Sequence, residues 1–596
     1  MAAEIAGQSA NCSFNPDSGL SPREIWSRLS SQADLVAPLA RRRAAQPRPE
    51  PVVLRNFVDT EIFGKMERDG IRWTVPSSDE EFLRRVSLDL TGQIPTAEKV
   101  KQFLADTSAG KRDRLIDELL ASEEFVDRWT LWLGDHVQMV QISDNVPMGR
   151  SGRDAYYTWM RDSFRAARPY DQMVRELITG RGLSHTSGPA NYWVRQIQTN
   201  GPLHDTWDNL SARTGDMFLG LPLECVSCHS GLGHLEAVNT GLVPRTRTEF
   251  WKNAAFFATD AHRFQEGANL EIEWLVEPNR QPARAQYSLN TTSGNKTPRQ
   301  PGSDGKNVVD PAFFLSGEQP REGEGRREAY ARILTAHPQF ARATVNYIWR
   351  QIFGLGIVEP ADSFDLLRQD TATLVPGATL QPTHPELLTK LANHFVANGY
   401  NIRTLLRTIV QSSAYQLSSY YTPGPWNELW TPYYARHYPR RMLAESVIDA
   451  IIRVTGVNTQ FQVANSNLTI TRAMQLQDPT EGRGSFRPLL DAFGRGDRDS
   501  TARSRDGSIV QALVMLNDPF VTTRIRATSG TNVDRILRTS QVPATIVEEL
   551  YIATLSRRPS TAERVAAVAY LQSGDLARRT EDLQYALLNR LQFLYN

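Results

Sequence analysis

Apolar residues recur at helical spacing along most of this chain, and this periodicity limits the fold to one built largely from helices. After Ser78 come three acidic residues, and apolar side chains then repeat every three or four positions, at Phe82, Leu83, Val86 and Leu90. A serine N-cap, acids in the first turn and this spacing together predict an amphipathic helix. Similar signals predict helices that begin at 96 and 384, and others over 111–120, 123–133, 156–166, 170–179, 206–220, 326–336, 340–353, 402–413, 441–454, 508–515, 545–555 and 561–571. Because strand signals are short and confined to 51–54 and 467–470, we predict a mainly α fold with few short strands.

A change of composition predicts where the chain divides. The interval 264–325 is rich in Asn, Gln, Gly, Pro and Ser and lacks periodicity, which is typical of a linker or a long surface loop. A chain of 596 residues is also long for a single core. We therefore predict an N-terminal arm at 1–54, a helical domain at 55–263, the linker or loop at 264–325 and a second helical domain at 326–596.

The run Cys225-Val-Ser-Cys228-His229 is the strongest chemical signature in the sequence. A C-x-x-C-H run is the attachment motif of c-type haem, in which two thiols add to the vinyl groups and the imidazole binds the iron. The chain has only three cysteines, and two of them lie in this run. We therefore predict haem c bound covalently by Cys225 and Cys228, with His229 as the proximal iron ligand.

The second axial ligand of the iron is less constrained. His234 is only five residues beyond His229, and so short a segment does not easily pass around the macrocycle. His204 and His136 are more distant candidates. Met217 precedes Cys225 by eight residues on a predicted helix, and we name it as the candidate second axial ligand.

Other chemistries fit the same residues. Cys225 and Cys228 could form a disulfide in an oxidising compartment, or bind zinc together with His229 or His234. A thioredoxin-like redox pair is disfavoured because the motif does not follow a buried strand in a βαβ pattern. The stretch 492–508, with four arginines and three acids, is either a solvated loop or a cationic rim for haem propionates or an anionic substrate.

Charge and hydropathy exclude several classes of partner. The chain has 67 basic and 66 acidic residues, which gives no general attraction to nucleic acid. No run of about 18 apolar residues is present, so we expect no integral membrane segment. The start of the sequence lacks the regions of a signal peptide. Because bacteria attach haem c after export, we expect a periplasmic or extracellular protein whose signal peptide has been removed.

Several long strings resemble known domains. RRVSLDLTGQIPT, LIDELLASEEFVDRW and FLGLPLECVSCH, at 84–96, 115–129 and 218–229, resemble the planctomycete cytochrome-c-like domain of unknown function. Three further strings resemble its usual C-terminal companion domain, at 327–360, 383–419 and 511–521. The resemblance implies an exported bacterial protein with a C-x-x-C-H motif and implies no known reaction. Relatives usually continue the motif as C-H-x-H-P-F, whereas here Ser-Gly-Leu-Gly follows His229.

We therefore expect an exported c-type haem protein with a redox or electron-transfer role and an unknown redox partner. One alternative is a structural or interaction protein with a Cys225–Cys228 disulfide and no haem. Another is a haem enzyme that acts on a small oxidant or a carbohydrate. Carbohydrate and the cell surface are candidate partners of the protein. The sequence does not decide whether the protein is an enzyme.

Overall fold

A computed structural model describes most of the chain, and its contacts divide it into two compact units. The described residues are 21–36, 52–140, 149–259, 261–266, 271–276, 286–301, 305–464, 466–480, 482–499 and 501–596. The first unit comprises the described residues of Met1–Trp26 and Leu133–Leu406, and the second comprises those of Ser27–Trp132 and Arg407–Asn596. Each unit is thus assembled from two separate stretches of sequence. The domain boundaries predicted above stay a prediction.

The first unit contains most of the helices in the middle of the chain. They are α7 (Arg150–Arg165), α8 (Tyr170–Thr179), α9 (Ala190–Val194), α10 (Leu203–Leu219), α11 (Cys225–Cys228), α12 (Arg247–Ala254), α13 (Arg326–Ala336), α14 (Pro338–Phe353) and α15 (Pro385–Ala397). Its largest fully buried side chains include Tyr156, Tyr170, Tyr192, Tyr330 and Trp349. Aromatic side chains are therefore among the largest groups in the core of this unit.

The second unit contains the helices at both ends of the described chain. They are α2 (Phe57–Arg68), α3 (Asp79–Thr91), α4 (Ala97–Ala105), α5 (Lys111–Ala121), α17 (Ala444–Thr455), α18 (Arg487–Ala492), α19 (Ile509–Asn517), α20 (Pro519–Thr522), α21 (Asn532–Thr539), α22 (Pro543–Leu555), α23 (Thr561–Gln572), α24 (Leu576–Leu588) and α25 (Leu591–Leu594). Three helices cross the division between the units: α1 (Pro22–Val36), α6 (Glu123–His136) and α16 (Ile402–Gln411). One core in the second unit contains Val447, Ile451, Leu550 and Phe593.

Local capping explains where several helices begin. The Ser78 hydroxyl accepts a hydrogen bond from the Glu81 amide at 3.2 Å, and the Thr96 hydroxyl accepts one from the Lys99 amide at 3.2 Å. These bonds satisfy amides that the first turn of a helix leaves without a partner.

Helices make up most of the regular structure in both units, so the predicted mainly α fold is confirmed.

Seven short strands form small antiparallel sheets in the described chain. They are β1 (Gly182–Leu183), β2 (Ala261–Glu266), β3 (Glu271–Val276), β4 (Tyr287–Ser288), β5 (Val308–Val309), β6 (Gln462–Val463) and β7 (Gly482–Arg483). The largest sheet has the order β1-β3-β2, with Gly182 and Ala261 both opposite Val276. β4 pairs with β5, and β6 pairs with β7.

The strand signals at 51–54 and 467–470 do not form strands in the described part of these segments. The pairing β6–β7 ends at Val463, and a strand requires such a partner.

The interval 264–325 contains ordered elements as well as loops. β3, β4 and β5 lie wholly within it, and Tyr287 and Arg299 are fully buried. Part of this polar interval therefore packs inside the first unit. Among the described residues, no helix is both long and apolar enough to cross a membrane.

Candidate functional site

The C-x-x-C-H motif lies at the end of a buried connection in the first unit. Helix α10 ends at Gly220, which has a φ of +62°. A Cβ at this position would lie 2.7 Å from Cδ2 of Phe364, so both the backbone and the space favour glycine. Leu221, Leu223 and Val226 are buried. This apolar connection fixes where the single helical turn α11 begins.

The two cysteines occupy the first and last positions of α11, and both are thiols in the structure. Cys225 is 5% exposed, and Cys228 is half-buried. Residues three positions apart lie on the same face of a helical turn. The predicted attachment residues are therefore neighbours on one turn, followed at once by His229.

His229 is half-buried and leaves the turn in an extended conformation. Its Nδ1 lies 3.0 Å from the carbonyl oxygen of Ser230. Because a carbonyl oxygen can only accept, this hydrogen bond requires the proton on Nδ1. In the neutral ring, Nε2 then carries the lone pair, which is the form of imidazole that binds a metal.

His234 packs against His229 but does not face it across a metal ion. The ring centroids are 4.2 Å apart with an interplanar angle of 33°, and His234 is exposed. A metal–imidazole bond is about 2 Å long, so two ligands on opposite faces would have their nitrogens about 4 Å apart and their ring centres farther apart still. The observed stacking is too close for an iron between the two rings.

Met217, the other predicted ligand, lies in the buried part of α10 with 7% of its surface exposed. Its carbonyl oxygen lies 2.8 Å from Nε2 of His136, whose ring packs against Tyr347 at 4.8 Å. Burial lowers the pKa of His136 to about 4. Among the described contacts, none joins Met217 to His229. The role of Met217 stays a prediction.

His204 lies in a separate aromatic environment on α10. Its ring packs against Trp207 at 4.8 Å and against Tyr287 at 5.0 Å. Burial lowers its pKa to about 4, so the imidazole is neutral at physiological pH. The surroundings of His204 are those of a core residue.

Arg247 on α12 holds the cysteine turn in place. Its Nε donates to the carbonyl oxygen of Ser227, inside the motif, at 2.9 Å. The other guanidinium nitrogens donate to the carbonyl oxygens of Thr297 and Pro298. The guanidinium carbon lies 4.7 Å from the centre of the Trp251 ring. Arg247 therefore links the motif to the segment 295–299.

Arg299, the last residue of the segment 295–299, belongs to a buried cluster of charged residues. Nη2 of Arg299 contacts Asp205 Oδ1 at 2.7 Å and Asp208 Oδ2 at 2.6 Å, and all three side chains are fully buried. The Tyr287 hydroxyl donates to Asp208 at 2.7 Å. Burial raises the pKa of Asp208, and the charge of Arg299 opposes this rise. We name Asp205, Asp208, Tyr287 and Arg299 the buried ion cluster.

Lys296 connects the buried ion cluster to the motif. It forms an ion pair with Glu224, the residue before Cys225, and its side chain is 4% exposed. Burial lowers the pKa of Lys296 to about 8, while Asp208 and Asp205 favour its charged form. Sequence reasoning missed these residues because it treated 264–325 as a linker or loop. The available signal was the pair Asp205 and Asp208, which are three positions apart and so share one helix face.

The part of the chain that the structure describes contains no group of three or more His, Cys, Asp or Glu side chains arranged to hold a metal ion. The stacked imidazoles of His229 and His234 do not form such a group with the two thiols. What the site does offer is a pair of thiols on one turn, an imidazole with a free nitrogen and a rigid support. This donor set fits covalent attachment of haem c.

Comparison with family models gives two matches in tandem. Residues 57–260 match PSCyt2, a protein of unknown function (DUF1549), and residues 326–571 match PSD1, a protein of unknown function (DUF1553). The first match contains the whole cysteine motif. Comparisons with curated proteins and with solved structures find no match.

Proposed function

We propose that this chain, which belongs to the PSCyt2 and PSD1 families in tandem, is an exported c-type haem protein with a redox or electron-transfer role. Cys225 and Cys228 would hold haem c through thioether bonds, and His229 would be the proximal ligand of its iron. We place the protein in the periplasm or outside the cell, because bacteria attach haem c after export.

The hydrogen bond of His229 is the observation that carries this proposal. The bond from Nδ1 to the Ser230 carbonyl orients the ring, and in the neutral imidazole it directs the lone pair to Nε2. Since Cys225 and Cys228 lie on the turn directly before this ring, the three donors have the order and spacing that haem attachment requires.

The residues around the donors would position and shield the cofactor. Arg247 fixes the turn through the Ser227 carbonyl, and Lys296 fixes Glu224 directly before it. Leu232, three residues after His229, is 75% exposed and offers apolar surface for a macrocycle. When bound, haem c supplies one-electron redox chemistry. The contacts of Arg247 and Lys296 would limit the movement of this turn during electron transfer.

Expression of the full chain with a bacterial haem-attachment system tests the proposal. We expect coloured protein whose Soret band persists after denaturation and acid–acetone extraction, which remove haem that is not covalently bound. Cys228→Ser and Cys225→Ser should each weaken or abolish retention, and Cys12→Ser is the matched control that should retain haem fully. Colourless wild-type protein would overturn the proposal.

The same preparation separates the haem hypotheses. A carrier with both axial positions filled should not change its spectrum when carbon monoxide or cyanide is added. A spectral change on addition would indicate an open position and favour an enzyme that acts on a small oxidant. Colourless protein with a Cys225–Cys228 disulfide would favour a structural role.

A further inference from the structure

A cluster of arginines in the second unit surrounds a small cavity far along the sequence from the cysteine motif. The cavity has about 20 Å³ of space for water-sized spheres, more than the roughly 10–15 Å³ that one water molecule needs. Four guanidinium groups and one carboxylate line it: Arg128, Arg440, Arg441, Arg505 and Asp89. Such an excess of positive charge at a partly buried site is unfavourable unless an anion offsets it.

The carboxylates near this cavity are already engaged. The Asp89 carboxylate accepts hydrogen bonds from Arg440 at 2.5 Å, from the Tyr415 hydroxyl at 2.9 Å and from the Asn596 side-chain amide at 2.8 Å. Glu445 is fully buried, and its two carboxylate oxygens accept hydrogen bonds from Nη1 of Arg503 at 2.7 and 3.0 Å. Neither carboxylate is left to neutralise further guanidinium groups.

Two of the N–H donor groups of Arg441 have no acceptor in the described structure. It is 2% exposed, and its Nε and Nη1 are buried without a hydrogen-bond partner in the described structure. Its Nη2 lies 3.2 Å from the Ser504 carbonyl oxygen, and its charge lies over the Phe493 ring at 5.3 Å. A buried guanidinium normally finds partners for its N–H groups. The unused donors of Arg441 therefore indicate a missing acceptor.

Arg505 is a second guanidinium for which the described residues supply no acceptor. It is half-buried, and it makes no hydrogen bond or ion pair with the described residues. Burial lowers the pKa of Arg505 well below its usual range, and the like charges of Arg440 and Arg128 add to this effect. Its partial exposure places it where a solute could reach the cavity from solvent.

We propose that Arg441 and Arg505, with Arg128 and Arg440, form a binding site for a tetrahedral oxyanion, namely a phosphate or sulfate group. The planar guanidinium matches such oxyanions through paired N–H donors. With about 20 Å³ of space for water-sized spheres, the cavity is too small for a sugar ring or a base. This site belongs to the second unit and does not depend on whether haem is attached.

Calorimetric titration of the full chain with inorganic phosphate and with sulfate, each against sodium chloride at equal ionic strength, tests the site. We expect saturable binding of phosphate or sulfate and none of chloride. Arg505→Gln should weaken binding about 10- to 100-fold, the effect of losing hydrogen bonds to a charged group. Arg538→Gln, on the exposed surface of α21, is the matched control and should not change it.

Two further titrations distinguish a free phosphate or sulfate ion from an esterified one. Binding of phenyl phosphate or phenyl sulfate as tightly as the inorganic ion would assign an esterified ligand, and binding of the inorganic ion alone would assign a free anion. Phosphate affinity should rise between pH 6 and 8 as the second charge forms, while sulfate affinity should change little.

Thermal unfolding separates a binding role from a structural one. Without added anion, Arg505→Gln should leave the melting temperature unchanged or raise it, because a repelled charge is removed. Added anion should then raise the melting temperature of the wild type and not that of the variant. Equal responses to phosphate, sulfate and chloride, or an equal loss of stability with and without anion, would overturn the proposal.

Discussion

Arg299→Gln is the change that most severely tests the buried ion cluster. It removes the only guanidinium that contacts both Asp205 and Asp208 in the described structure, at 2.7 and 2.6 Å. Removing one partner of a fully buried ion pair costs about 3–5 kcal/mol, because the charge left behind has neither water nor a counterion. We therefore expect the free energy of unfolding to fall by about this amount at pH 7.5.

The loss should depend on pH in a defined direction. Burial already raises the pKa of Asp208 in the wild type, and removal of Arg299 raises it further. A carboxyl whose pKa is higher in the folded state than its unfolded value of about 3.9 destabilises the fold above that pH. The penalty disappears as the pH falls and the carboxyl binds its proton. The deficit of Arg299→Gln should therefore be largest at pH 7–8 and should shrink towards pH 4–5.

Urea unfolding followed by tryptophan fluorescence, at pH 7.5 and pH 5, measures this effect. Arg245→Gln is the matched control, since Arg245 is half-buried, pairs with Glu249 at 3.1 Å and lies over the Phe314 ring at 5.1 Å, and should contribute about 1 kcal/mol. Adding Asp205→Asn and Asp208→Asn to Arg299→Gln should recover part of the loss, because none of the three charges of the buried ion cluster then remains. An Arg299→Gln variant that loses no more stability than Arg245→Gln at pH 7.5 would refute the reasoning.

Three further predictions concern the support of the motif. Burial lowers the pKa of Lys296 to about 8, below its unfolded value of about 10.4, so the wild type should gain stability as the pH rises from 8 towards 10.4. The gain is up to about 3 kcal/mol, and Lys296→Met should lack it when urea unfolding is compared at pH 7.5 and pH 10. An equal gain in both proteins would contradict this prediction. Arg247→Ala removes a charged hydrogen bond to the motif. Hydrogen exchange of the backbone amides over 226–231, measured by mass spectrometry, should therefore become about 10-fold faster or more. Unchanged exchange would show that the turn is rigid without Arg247. Gly220→Ala should cost about 2–4 kcal/mol in urea unfolding because of its positive φ and its close approach to a phenyl ring, whereas Gly233→Ala, also at positive φ but with open space, should cost about 1–2. Equal costs at the two glycines would show that the steric contact is not felt.

Sequence reasoning succeeded where the determinants are local. The caps at Ser78 and Thr96 depend on residues three positions away, and both helices begin where they were predicted. The turn Cys225–Cys228 is likewise defined by its own spacing. These features need no information from distant parts of the chain.

Long-range contacts were beyond the same reasoning. Arg299 contacts Asp205 and Asp208, which are about ninety residues away in the sequence. The polar interval 264–325 has no periodicity from which the burial of Arg299 could be predicted. The composition of the second unit has the same origin, because the described residues of Ser27–Trp132 and of Arg407–Asn596 form one compact unit although they are far apart in the sequence. Charged residues in a loop-like segment can be structural when a helix supplies their counterions.

Peptide mass spectrometry of the mature protein tests directly whether haem is attached to the cysteine motif. Tryptic cleavage after Arg213 and Arg245 releases one peptide, 214–245, that contains both motif cysteines and no other. For protein exported alongside the haem-attachment machinery, we expect this peptide to carry the added mass of one haem, stable to denaturation. The same peptide found without haem, either as two thiols or two hydrogens lighter as a disulfide, would contradict it.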